Sequence, residues 1–285
     1  MRFVTYSVAG GPAQAGVAVE DRVYCLQPAG FERVIDVISG GAAARAAIRS
    51  YLASAPATLR VPLEAVTLLA PIPKPPKIIC VGLNYRDHAA EAKLEVPSVP
   101  TIFSKFGNTI TGPGAPIILP KNSRKPDYEA ELGVIIGTGG RYIPAAQWRE
   151  HVFGYTCVND VSARDYQGAT SQWLMGKTFD TFCPTGPWIV SADEIEDPQK
   201  LAIACEISGT VLQNSNTSAM IFPVPALIEF LSSVITLEPG DLISTGTPAG
   251  VGFAQRPRRW LLAGDRVTVR IEGIGELQNP VVAEA

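Results

Sequence analysis

The stretch that decides the fold is KPDYEAELGVIIG, Lys125 to Gly137. Its second half, LGVIIG, is a short continuous apolar run of the kind that forms a strand bound for the core. Its first half places Asp127, Glu129 and Glu131 at every second position, directly against that strand. In an extended chain residues i, i+2 and i+4 point to one face, so the three carboxylates are expected to converge. Like charges at that spacing repel, and burying each one unpaired costs on the order of several kcal/mol. A divalent cation removes the conflict, because hard oxygen ligands are what it binds. The alternative is a solvated acidic strand start, or carboxylates paired with Arg124 and Lys125.

A second acidic stretch strengthens the metal reading. VNDVSARDYQG follows the expected strand FGYTCV and sets Asp160 at or near its end. A third carboxylate from a different strand end completes an oxygen-rich site, with water and substrate filling the remainder. Asp165, in the helical turn ARDYQ, suits a helix-terminal or salt-bridging role, and Asp160 is preferred as the ligand. The chain has only two histidines, His88 and His151. That excludes a multi-histidine zinc site and leaves Mg²⁺, Mn²⁺ or Ca²⁺.

Three further segments carry chemistry. In GLNYRDHAAEAK, His88 and Glu91 sit at i and i+3 and share a helix face. The carboxylate can fix the imidazole tautomer and raise its basicity, which suits a dyad that takes a proton from water. The competing reading is an incidental pair on an exposed helix. Lys177 lies inside the apolar and aromatic run WLMGKTFDTFCPTGPW. It is either a cation aimed at an anionic substrate or enolate, or a lysine that snorkels to water. STGTPAGVG, Ser244 to Gly252, is a glycine-rich turn able to cradle a carboxylate; it lacks the lysine of a phosphate-binding P-loop.

Working outward, RFVTYSV and GVAVEDRVYCL alternate as strands, and FERVIDVISGGAAARAAIRSYLAS has helical spacing weakened by Gly40 and Gly41. APIPKPP carries prolines at 71, 73, 75 and 76, an extended connector. The expected organisation is a small N-terminal α/β domain (1–70), a proline-rich linker (71–76) and a catalytic domain (77–285). Strands are expected at TIFSKF, APIILP, PWIVSA, LAIACEISG, LISTGTP and DRVTVRIEGIGELQNPV, with helices at AAQWREHV, ARDYQGAT and FPVPALIEFLSSVIT. Strands outnumber helices without regular alternation, which favours a β-rich α+β class over a doubly wound sheet.

Composition bounds the rest. The chain has 285 residues, 46% hydrophobic and 18% charged, enough for a large globular core. A net charge of −3 offers no basic field, so neither nucleic acid nor an anionic membrane is an expected partner. No apolar run is long enough to span a bilayer, and MRFVTYSVAGG lacks the pattern of a signal peptide. Five cysteines with no CxxC spacing argue against a disulfide framework and for a reducing, cytoplasmic setting.

Taken in order, GLNYRDHAAE, DYEAELGVIIG, VNDVSARDYQ, GKTFDTFCPTGP and STGTPAGVG resemble the fumarylacetoacetate hydrolase family, over roughly residues 75–285. The resemblance implies a fold of layered, rolled mixed β-sheets with peripheral helices, usually a homodimer, and one Mg²⁺ or Mn²⁺. It implies metal ligands at Glu129, Glu131 and Asp160, with Asp127 a neighbour. It places the dyad on His88 and Glu91 and the family lysine on Lys177. Arg164 and Gln167 match polar positions near the substrate, and Gly246 and Thr247 match the turn that contacts the substrate carboxylate.

The implied activity is hydrolysis of the C–C bond of an acylpyruvate-type 2,4-dioxo acid, such as fumarylpyruvate, acetylpyruvate or a sugar-acid-derived diketo acid, as in the breakdown of aromatic compounds. Oxaloacetate decarboxylation and isomerisation or decarboxylation of an oxo-heptenedioate share the same enolate and remain open. Outside this class stand a metal-stabilised binding protein without turnover and a nicotinamide enzyme. Residues 86–98 are expected to form a lid over bound substrate.

Overall fold

The computed structural model describes residues 1–56 and 59–285. The strand expected from the opening stretch runs Ala130–Ile136 and is buried along its whole length. It is fully covered because it lies inside a large sheet with layers on both faces. Antiparallel neighbours Val152–Asn159 and Leu242–Ser244 flank it. The sheet continues through Cys183–Ser191 on one side, and through Ile78–Gly82 to Thr101–Ser104 on the other. Among the described residues it has twelve strands, and a separate five-stranded sheet is built around Ala202–Ile207, Thr210–Asn216, Arg266–Ile271 and Gly275–Ala283.

Period-two alternation decides what each face meets. Leu132, Val134 and Ile136 pack with Ile203, Cys205, Val267 and Val269 of the second sheet, so the main core lies between the two sheets. On the opposite face Ile135, with Phe153 and Ile189 from neighbouring strands, packs against Val34, Val37, Ile38, Ala44 and Ile48. Those residues come from Val34–Ser39 and Gly41–Ser54. The single helix expected over 31–54 is therefore two helices, because Gly41 takes a left-handed φ of 56° at the junction.

The first strand, Arg2–Val8, joins the large sheet through Arg2 opposite Val190 and Phe3 opposite Ile189. The proline-rich 71–76 follows Val66–Leu69 as coil and leads to Ile78–Gly82. The helix Arg86–Ala92 starts directly after that strand and ends at Lys93, whose φ is 55°. The expected α+β, β-rich layered architecture with peripheral helices is the architecture found. No helix among the described residues is long and apolar enough to cross a membrane.

Candidate active site

Glu129 and Glu131 leave the N-terminal end of the central strand, and Asp160 follows the end of its antiparallel neighbour Val152–Asn159. Antiparallel pairing of Ala130 with Asn159 brings the two ends together. Asp160 N–H donates to the Glu129 carbonyl (2.9 Å), and Glu129 N–H donates to the Asn159 side-chain oxygen (3.0 Å). One carboxylate oxygen from each of Glu129, Glu131 and Asp160 lies within 4.8 Å of the other two, and all three residues are buried.

Asp127 does not join them. The extended chain breaks between Pro126–Asp127 and Ala130–Ile136, so the i, i+2, i+4 rule fails at its first member. The Asp127 carboxylate accepts instead from the Gly252 and Phe253 N–H groups (2.7 and 3.0 Å) and from Arg164 Nε (2.8 Å). It anchors the loop that bounds the site.

Three buried cations offset the acidic cluster. Lys177 Nζ donates to Glu129 Oε2 (2.8 Å) and Asp160 Oδ2 (2.7 Å). Lys105 Nζ pairs with the other Asp160 oxygen and donates to the Val161 carbonyl (3.0 Å). Arg164 Nη2 stands 2.6 Å from Glu129 Oε1. Burial alone raises the Glu129 pKa, but Lys177 and Arg164 outweigh it and bring the group down to about 2. The Lys177 ammonium, which burial disfavours, is lifted above its ordinary value by Asp160 and Glu129.

Glu131 is the exception. It has no cationic partner among the described residues; burial, then Asp160 and Glu129, push its pKa well up. Its Oε2 accepts from Ser244 Oγ (2.5 Å) and the Gly246 N–H (2.8 Å), and Oε1 accepts no hydrogen bond among the described residues. Gly246 reaches this position with a left-handed φ of 98°; a Cβ there would stand 2.7 Å from that of Asn84. Four buried carboxylates thus face three cations, and the donor set is all oxygen. This fits one hard divalent cation better than it fits the bare cluster.

The cluster forms the floor of a cavity of about 530 Å³. His88, Glu129, Glu131, Arg164, Gln167, Lys177 and Thr247 line it. Glu91, Asp160 and Gly246 stand behind that lining. The Gly246 amide is committed to Glu131. The Thr247 hydroxyl donates to the Ala130 carbonyl (2.9 Å) and accepts from Gln213 (2.8 Å). Gln167 accepts from Arg164 Nη1 (2.8 Å).

His88 and Glu91 share a helix face, as their spacing requires, but His88 Nδ1 lies 3.6 Å from Glu91 Oε2 and makes no hydrogen bond. The Glu91 carboxylate accepts from the Gly250 N–H instead (3.0 and 3.2 Å). Burial pushes the His88 pKa below its ordinary value; Glu129 raises it and Arg164 lowers it further. The imidazole is therefore neutral near neutral pH, able to accept a proton.

Sequence reasoning missed Lys105, although TIFSKF carries the same sign as the Lys177 run, a lysine in an apolar segment. The turn from Ser244 does cradle a carboxylate, that of Glu131, but the aromatic walls were missed: Phe103, 4.9 Å from Lys177 Nζ, and Phe253, 4.7 Å from the Arg164 guanidinium.

Residues 77–282 match the fumarylacetoacetate (FAA) hydrolase C-terminal family. The chain is 45% identical over 259 residues to oxaloacetate tautomerase FAHD2A, mitochondrial, of Bos taurus, spanning 90% of this chain and 82% of that protein. Its structure is similar, with a TM-score of 0.85 and 31% identity over the whole of both chains, to maleylpyruvate hydrolase from Sphingobium sp. SYK-6 in complex with manganese(II) ion and pyruvate. It is also similar to 2-hydroxyhepta-2,4-diene-1,7-dioate isomerase from Mycobacterium marinum, at a TM-score of 0.78 and 37% identity, covering 100% of this chain and 99% of that one. With a match across most of its length and these identities, the chain belongs to the fumarylacetoacetate hydrolase family.

Proposed function

We propose that this enzyme acts on the 2-oxo end of small carboxylic acids, and that its reaction is proton transfer at the carbon beside the keto group: keto–enol tautomerisation of oxaloacetate or a close 2-oxo diacid. The observation that carries the reading is the pairing of a cation-free Glu131, in a buried carboxylate triad, with a neutral, unbonded His88 on the wall of the same cavity. That equipment stabilises an enolate and moves one proton. The name of the bovine relative supports the same class of substrate.

Glu129, Glu131 and Asp160 would hold Mg²⁺ or Mn²⁺, which when bound would supply Lewis-acid charge for a developing enolate. Lys177 and Lys105 hold the ligand carboxylates in fixed positions and use most of their donors in doing so. Arg164, tied to Asp127, Glu129 and Gln167, adds positive charge to the cavity floor, where the carboxylate of the 2-oxo end would sit. In the keto-to-enol direction His88 accepts the proton from C3. The C–H electron pair becomes the C2–C3 double bond, the C2 oxygen takes the negative charge, and protonation of that oxygen completes the enol. The reverse direction returns the proton to C3.

A second reading, hydrolysis of an acylpyruvate to pyruvate and a carboxylic acid, is favoured by the shared helix face of His88 and Glu91. There His88 would take a proton from water, hydroxide would add to the C4 carbonyl, and the C3–C4 bond would break with its electrons leaving on the pyruvate enolate. That route asks Glu91 to leave Gly250 and engage His88. A chain of this family is also read as a homodimer, which light scattering would check.

The test is decay of the enol absorbance of oxaloacetate, with Mn²⁺ or with chelator, alongside product analysis on acetylpyruvate and fumarylpyruvate. Metal-dependent acceleration of the enol–keto exchange, with no pyruvate formed, supports tautomerisation. Pyruvate plus a free acid from the diketo acids, without acceleration on oxaloacetate, overturns it in favour of hydrolysis.

A further inference from the structure

The cations of the cavity fall into two sets. Arg164 and Lys177 line its floor and are ion-paired with Asp127, Glu129 and Asp160. Lys125 and Arg258 also line it, but they are exposed and make no salt bridge or side-chain hydrogen bond among the described residues. The carboxylates in the lining, Glu129 and Glu131, both belong to the floor. Among the described residues, the exposed side of the cavity therefore carries positive charge that no carboxylate of the lining answers.

These two residues are not loosely placed. The Leu261 N–H donates to the Pro126 carbonyl (2.8 Å), which ties the Arg258 loop to the residue after Lys125. Arg259 N–H closes that loop on the Gly252 carbonyl (3.0 Å), and Asp127 holds Gly252 and Phe253. Arg164 N–H donates to the Lys125 carbonyl (2.9 Å). Backbone bonds thus fix both rim cations to the frame that carries the floor. Phe253 and Trp260 line the same cavity and offer apolar surface to a carbon chain. A volume of about 530 Å³ is more than the head of a 2-oxo acid fills.

We infer that Lys125 and Arg258 are specificity-determining residues that receive a second carboxylate, at the end of the substrate away from the triad, and so select 2-oxo dicarboxylates over 2-oxo monocarboxylates. The inference deepens the proposed function and rests on its 2-oxo acid site. Exposed charges of this kind act through attraction and orientation of the ligand, so each is worth a modest factor.

The test uses two ligands of equal length and identical 2-oxo end, 2-oxoglutarate and 2-oxopentanoate, titrated calorimetrically into the Mn²⁺-loaded protein. Wild type is expected to bind the dianion about tenfold or more tighter. Lys125→Gln and Arg258→Gln should each reduce that preference roughly 3- to 10-fold by weakening 2-oxoglutarate alone. Arg258→Lys should keep most of it, and melting temperatures should not move because neither side chain is packed. If both ligands bind and the double variant keeps the wild-type preference, the inference is overturned while the 2-oxo acid site stands. If neither ligand binds wild type, the 2-oxo acid reading falls and takes the inference with it.

Discussion

On the floor of the cavity every charged group except Glu131 is paired at hydrogen-bonding distance. On the helix Arg86–Ala92, His88 and Glu91 stand 3.6 Å apart without bonding, and Glu91 is engaged by Gly250. The three clustered carboxylates of the floor lie in or next to central strands of the large sheet, while Arg164 and Lys177 reach them from the short helices Arg164–Gln167 and Leu174–Lys177. The helix is a short element at the edge of the cavity, and its Glu91 Oε2 stands 3.6 Å from His88 Nδ1 and 3.0 Å from the Gly250 nitrogen. On the proposed reading, the metal would be held by carboxylates set at the ends of sheet strands. On the same reading, the choice between moving one proton and activating a water would rest with the helix that carries His88 and Glu91.

The largest effects should come from the floor. Glu129→Gln or Asp160→Asn would remove a proposed metal ligand and break a buried ion pair, so turnover should fall about 10³-fold or more, and the metal-free protein should lose about 3–5 kcal/mol of stability. Glu131→Gln should separate these consequences. It removes a ligand but no ion pair, so activity and metal-induced stabilisation should vanish while the metal-free melting temperature stays level or rises. A metal-free Glu131→Gln protein that melts well below wild type would break the contrast.

His88→Ala should lower kcat about 10²- to 10⁴-fold while leaving Mn²⁺ binding intact, since it is a wall residue. The pH profile sharpens the same point. His88 must be neutral to accept a proton, and its pKa is lowered from 6.5, first by burial. The rate should therefore rise with pH along an acid limb lying below 6.5 and be flat through neutrality. That limb should be missing in His88→Ala. Glu91→Gln should have the smallest effect, a few-fold on oxaloacetate, because the carboxylate does not hold the imidazole.

Much of this site is legible in the sequence because it rests on strand geometry. Glu129 and Glu131 alternate on the face predicted, and Asp160 falls at the end of a strand readable from FGYTCV. Asp127 misleads because the chain breaks at Tyr128, which spacing cannot show; its real partners are amides more than a hundred residues away. Lys105 is invisible to spacing for the same reason, since only the fold brings it to Asp160. The strand Thr210–Asn216 was not expected, because TVLQNSN is polar and its strand sits at the edge of the smaller sheet, partly open to solvent. Proximity of His88 and Glu91 is readable from the helix period, but whether they bond depends on Gly250, supplied by a distant loop.

The most direct test of the account compares wild type, His88→Ala and Glu91→Gln in the Mn²⁺-dependent enol–keto exchange of oxaloacetate, with products from fumarylpyruvate followed in parallel. His88→Ala should lose the exchange, Glu91→Gln should keep it within a few-fold, and fumarylpyruvate should yield no pyruvate. Pyruvate and fumarate released by wild type, with His88→Ala and Glu91→Gln equally inactive, would contradict it and make the helix a water-activating dyad.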